Sequence, residues 1–229
     1  MKDILDKLAR ALPAYLGSLL ELLAGPKRFV AKKLEEEGRL TNALIFLAVS
    51  AALAFLLKLP LLKGDVWLEL GAAAAFTFLI WFGFGAAIWL AWRIVGGRGG
   101  LEGTLVISFY FAGVIELLLA CAYLGFIGTL RAADPAAYQT MLEALSNGRF
   151  LALAADPAGP LQSTGGRLAI SIAMLLVVAA WAWILAGWGA YRNHHERSRW
   201  HAALAFGLAL VMVLPLYAFF GIVANALVG

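Results

Sequence analysis

The chain has 229 residues, 63% hydrophobic and 14% charged, with a formal net charge of +4 and a mean hydropathy of +0.86. That balance excludes an ordinary soluble globular domain. The basic excess gathers near the start, at Lys2, Lys7, Arg10, Lys27, Arg28, Lys32, Lys33 and Arg39; no basic stripe on a soluble fold accompanies it, so the charge points to an anionic membrane surface and away from nucleic acid.

The first segment is no signal peptide, because Lys2, Asp3, Asp6, Lys7, Arg10 and Glu21 interrupt any apolar core. Ile4, Leu5, Leu8, Leu12, Tyr15, Leu16, Leu19, Leu20 and Leu23 recur at helical spacing, which predicts an amphipathic helix lying on the membrane or docked on protein. Gly25-Pro26 ends it, and Lys27, Arg28, Lys32 and Lys33 form a second basic stretch at the membrane surface. Residues 1–39 are thus expected to be a cytoplasmic appendage to a membrane domain over 40–229.

Five apolar runs follow, at about 41–62, 66–95, 105–130, 168–190 and 202–228. Each reaches the roughly 20 residues a helix needs to cross ~30 Å of hydrocarbon, and the second must tilt or bend. The predicted fold class is all-α, a polytopic bundle of five transmembrane helices. Gly96-Gly97-Arg98-Gly99-Gly100 reads as a linker, since it lacks the Lys-Ser/Thr of a phosphate-binding loop. In the long loop before the fourth span, Asp134-Pro135 is placed as a helix start, with Tyr138, Met141, Leu142 and Leu145 on one side of a short helix reaching to Gly148.

Loop charge sets the orientation. The N-terminal segment, Arg93 and Arg98, and Arg192, Arg197 and Arg199 fall on one side and outnumber Lys58, Lys63, Arg131, Arg149 and Arg167 on the other. The positive-inside rule then puts the N-terminus in the cytoplasm and the C-terminus outside. Trp67, Trp89, Trp92, Trp188 and Trp200 suit an interfacial belt, while Trp81, Trp181 and Trp183 read as packing residues.

Groups able to do chemistry are few. His194, His195 and His201 with Glu196 match no metal-ligand spacing and read as a solvated loop; they are weak metal candidates only. Cys121 is the single cysteine and lies within a span, so no internal disulfide can form. No cofactor is expected, and no arrangement for catalysis appears in the spans. Glu116 stands out, because a carboxylate at the middle of the third span costs at least about 2.5–3.5 kcal/mol and must be paired, protonated or turned inward. Tyr110, Tyr123, Ser108 and Thr77 are its expected partners in a structural clamp; a proton or ion relay, a lipid contact or a link to a partner subunit are the functional alternatives. The four-apart pairs Gly71/Ala75, Gly83/Ala87, Ala182/Ala186 and Ala203/Gly207 are candidates for close helix approach, within the bundle or in a homo-oligomer.

Three stretches resemble a known family. Leu22-Leu-Ala-Gly-Pro-Lys-Arg-Phe29 is similar to the Pro-x-x-Phe segment before the first span of bacterial Yip proteins, the Ypt/Rab-interacting membrane family. Gly96-Gly-Arg-Gly-Gly-Leu-Glu-Gly-Thr-Leu105 leading to Phe109-Tyr110-Phe111-Ala112 resembles the family's Gly-Gly loop and third-span start, and Trp188-Gly-Ala-Tyr-Arg192 before Ser198 its fourth-to-fifth connection. Two features depart from the pattern: the acidic tail and Asp-Leu-Tyr-Gly-Pro segment of eukaryotic members are missing, and Val114-Ile115-Glu116 stands where a proline is common. The resemblance implies a non-enzymatic membrane organiser, and with the Ala-, Gly- and Arg-rich composition a bacterial inner-membrane member. Two functions are therefore expected: an adaptor holding partner proteins or anionic lipids, or a small transporter, channel or lipid-translocating subunit using Glu116.

Overall fold

A computed structural model describes the backbone of residues 2–58, 66–146, 156 and 159–228, and the side chains of 12–58, 71, 74–143, 156 and 159–216. No described residue lies in a strand. Two helices, α1 (Lys2–Ala24) and α2 (Pro26–Leu34), precede α3 (Arg39–Lys58), α4 (Val66–Ile94) and α5 (Leu101–Ala133). After the short α6 (Pro135–Ser146) and a 3-10 turn at Pro160–Gln162 come α7 (Thr164–Gly187), α8 (Gly189–His194) and α9 (Arg199–Val228). Five helical segments, within α3, α4, α5, α7 continuing into α8, and α9, are long and apolar enough to cross a membrane. The protein is an integral membrane protein of all-helical fold.

The spans follow the apolar runs, with shifted ends. The third was expected at 105–130, yet α5 starts at Leu101 and continues to Ala133, because its first turn carries Glu102, paired with Arg39 at 2.7 Å, and nothing in Gly103 or Thr104 stops a helix. The fourth, expected at 168–190, begins at Thr164 because Ser163 caps it, its hydroxyl accepting the Gly166 N–H at 3.0 Å. Residues 59–62 of the first expected span lie outside the described residues.

Helix α5 is the axis of the bundle. Of its most apolar window 67% is buried, against 11% to 28% in the other four spans. It packs on α3, α4 and α7, while α9 packs on α4. Glycine lets neighbouring helices approach closely at two contacts. A methyl group on Gly113 would sit 2.6 Å from Ser50 Oγ and 2.7 Å from the Phe46 ring, and one on Gly85 2.7 Å from Leu105. The four-apart pairs do not fill this role. Gly71 and Gly207 meet nothing within 4 Å, and Ala75, Ala182, Ala186 and Ala203 are exposed, so only Ala87 of the second pair is buried in the bundle.

At 33 residues, α5 is ~50 Å long, well beyond ~30 Å of hydrocarbon. Its continuously buried stretch, Gly103 to Val114, lies at its N-terminal end. There α1, α2, the 96–100 segment and α8 wrap it, so this end of the bundle carries a second packed layer. Trp92, expected in the interfacial belt, is fully buried in that layer and stacks on the partly buried Trp188 at 6.0 Å. Trp200 is 72% exposed, and Trp181, expected to pack, is exposed as well. At the other end Asp134 caps α6 by accepting the Ala137 N–H at 3.0 Å, and Tyr138 and Met141 are buried against Ile127 and Leu130. Gly148 and the side chain of Leu145 lie outside the described residues.

Candidate functional site

Glu116 and Tyr110 are six residues apart on α5 and face different neighbours. Glu116 Oε1 accepts the indole N–H of Trp81 on α4 at 2.8 Å. None of Tyr110, Tyr123, Ser108 or Thr77 supplies that bond, because Trp81 lies on the facing helix with its donor at carboxylate height. Indole is a donor with no acceptor, so it suits a carboxylate in a span. Tyr110 is buried between Phe29 and Phe46, at ring distances of 5.0 and 5.1 Å. It serves the contact of α2 and α3 with α5.

The N-terminal helices form the second group. The Tyr15 hydroxyl donates to Ser50 Oγ at 2.7 Å, since the Ser50 hydroxyl is already donating to the Phe46 carbonyl at 2.9 Å. Leu22 is fully buried, whereas Leu12, Leu16, Leu20 and Leu23 are exposed. Helix α1 is therefore docked on protein along one stripe and presents a second apolar stripe outward. Lys27, Arg28 and Lys32 are exposed beside it. Lys33, expected with them at the membrane surface, turns inward: its ammonium is 2.8 Å from Glu36 and 5.6 Å from the centre of the Phe29 ring.

A third group is a polar junction between the stretches expected to be a linker and a solvated loop: Gly96, Arg98, Asn193, Glu196 and Ser198 are exposed, but Gly97, Gly99 and His195 are buried where the two meet. His195 is fully buried and lies flat on Trp92, with ring centres 4.9 Å apart and planes 2° from parallel. The Arg98 N–H donates to the His195 carbonyl at 3.2 Å, His194 Nε2 donates to the Gly100 carbonyl at 3.1 Å, and the Arg197 guanidinium donates to the Gly96 carbonyl. Glycine is required because a methyl group on Gly97 would sit 2.8 Å from both His195 Nδ1 and the Trp92 carbonyl. The 96–100 segment is thus clasped by the α8–α9 turn.

Hydrogen bonding fixes the His195 tautomer. Thr104 Oγ1 donates to the Gly100 carbonyl at 3.0 Å, so it accepts from His195 Nε2 at 3.1 Å. Nδ1 is left as a buried lone pair with no partner among the described residues. Burial, then the neighbouring His194 and Arg93, push the His195 pKa down from 6.5 to about 4. One turn deeper, the Tyr191 hydroxyl donates to Ser108 Oγ at 3.0 Å, and Ser108 donates to the Thr104 carbonyl at 2.8 Å. The i, i+4 spacing of Thr104 and Ser108 was the available signal, a polar stripe on one face of an apolar helix that required a buried partner.

The histidines do not converge on a metal. His201 pairs with Ser198 at 2.8 Å, and among the described residues no three His, Cys, Asp or Glu side chains are placed to hold an ion. The chain matches no family model, no curated protein and no solved structure.

Proposed function

We propose that the protein is a non-enzymatic membrane organiser that holds partner proteins or lipids against one face of the bilayer, with α1 and α2 as its working surface. The observation that carries this is the divided apolar face of α1. Tyr15 and Leu22 are buried against the bundle, while Leu12, Leu16, Leu20 and Leu23 stay exposed beside the cations Lys27, Arg28 and Lys32. A docked helix with a free apolar stripe and a basic border suits an anionic interface or an amphipathic partner. Loop charge favours the cytoplasmic face of a bacterial inner membrane for this surface.

The Yip resemblance supports the same reading. The three stretches that carry it are neighbours in the fold: Phe29 packs edge-on against Tyr110 at 5.0 Å, and His195 beside the 188–192 stretch receives the Arg98 N–H. A transporter or lipid-translocating role would place Glu116 in a path; the Trp81 bond instead favours a clamp between α4 and α5. Deleting residues 1–24 is the test. Loss of partner recovery from cross-linked membranes or of binding to anionic vesicles is expected, and a truncated chain that keeps both refutes the role given to this surface.

A further inference from the structure

A cleft of about 260 Å³ opens between α1 and α3 and is lined by Ala14, Tyr15, Ser18, Lys33, Asn42 and Ile45, with Phe46, Val49 and Tyr110 completing it. Its polarity runs in register with α3. That helix begins at Arg39, so Asn42 lies in its first turn and Val49 ~10 Å further along the span. Lys33, outside the span, closes the polar end. Arg39 does not compete there, because it is held by Glu102 and by the Leu34 carbonyl at 2.8 Å. At the far end the Tyr15 hydroxyl is taken up by Ser50 at 2.7 Å, so the free polar groups gather at the membrane boundary and the wall along α3 is Ile45, Phe46 and Val49, which matches an amphiphile lying as bilayer lipids do.

We infer that this cleft binds one glycerophospholipid with a zwitterionic, phosphoethanolamine-type headgroup. Its headgroup lies at Lys33 and Glu36 and one acyl chain along Ile45 and Val49. Size supports partial burial, since the volume falls just below the ~300 Å³ at which sites enclosing a whole drug-sized ligand begin. The cleft takes the part of the lipid nearest the headgroup and leaves the rest in the bilayer. Ile45 is 55% exposed, so this wall is open sideways to lipid.

Charge selects the headgroup. The Lys33 ammonium contacts both Glu36 oxygens, at 2.8 and 3.0 Å. The pair is neutral as a unit but offers a cation to a phosphate and a carboxylate to an ammonium. A purely anionic headgroup meets Glu36 unfavourably. This assignment rests on the lipid-holding part of the function proposed above and adds, beside the anionic-surface contact of Lys27, Arg28 and Lys32, a single site with a different headgroup preference.

The test is native mass spectrometry of the full chain extracted from nanodiscs made of phosphatidylethanolamine and phosphatidylglycerol in equal amounts. The expected result is one retained phosphatidylethanolamine per chain, favoured over phosphatidylglycerol by about tenfold, the scale of one charged hydrogen bond. Ile45→Trp, which fills the cleft from an exposed position, should abolish retention, and Glu36→Gln should shift it toward phosphatidylglycerol. Equal retention by wild type and Ile45→Trp, no headgroup preference, or protection of these residues by a second chain overturns the site. If Ile45→Trp does not fold, the Glu36→Gln preference decides. Neither position is on the exposed stripe of α1, so partner recovery measured on the same variants separates failure of this site from failure of the organiser role.

Discussion

Acidification should loosen the clasp between 96–100 and the α8–α9 turn, and His195 sets the window. Its pKa is held at about 4 in the folded protein against 6.5 when free. The folded value is the lower one, so the neutral ring supports the clasp in full above about pH 6.5, and that support is lost as pH falls toward 4. The cause is geometric: Nδ1, the nitrogen that would take the proton, is buried with no partner among the described residues, against Gly97 and Gly99 and near His194 and Arg93. Discounted for solvent screening, the loss by pH 5 is on the order of 1 kcal/mol. Thermal unfolding of the detergent-solubilised protein at pH 7.5 and pH 5 reads the effect, with His195→Gln as the comparison that cannot be protonated. The wild type should lose stability over this interval and His195→Gln should lose markedly less. Identical pH dependence in the two proteins, or a wild type more stable at pH 5, refutes the reasoning.

Trp81→Phe removes the donor to Glu116 and should cost ~1 kcal/mol, the scale of interhelical hydrogen bonds in membranes, whereas Glu116→Gln keeps an acceptor and should change little; the reverse order in detergent unfolding contradicts the clamp. Gly97→Ala forces a methyl group to 2.8 Å from backbone and ring atoms and should destabilise by about 1–3 kcal/mol, so an unchanged melting temperature would show that the segment yields. Glu196 sits at φ 53°, in the left-handed region, at the turn after α8; Glu196→Gly should raise the melting temperature by an amount worth roughly 0.5–1 kcal/mol, and a lowered one would mean that the Glu196 side chain stabilises the turn.

The five spans were legible because lipid imposes length and hydropathy on each helix separately. Capping at Asp134 was legible for the same local reason. The polar junction was not, because it depends on two loops about a hundred residues apart meeting over one end of α5. Read alone, Gly96–Gly100 has the composition of a linker, and His194-His195-Glu196 that of a solvated turn. Only Trp92 beneath His195, and glycines small enough to let the ring in, make them one structure. Glu116 was identified from its cost in a span, but its partner lies on another helix and no periodicity points to Trp81. For α1 the sequence showed a single apolar stripe, and the fold divides it between docked and exposed residues.

The divided face of α1 is tested most directly by a photoreactive cross-linker placed at Leu20, 66% exposed, and at Leu22, fully buried, in native membranes with mass spectrometry of the products. The account predicts adducts to lipid or to a partner protein from position 20, and only internal adducts to the bundle from position 22. Internal adducts alone from both positions would contradict it, since α1 would then be a closed structural element with no surface to offer.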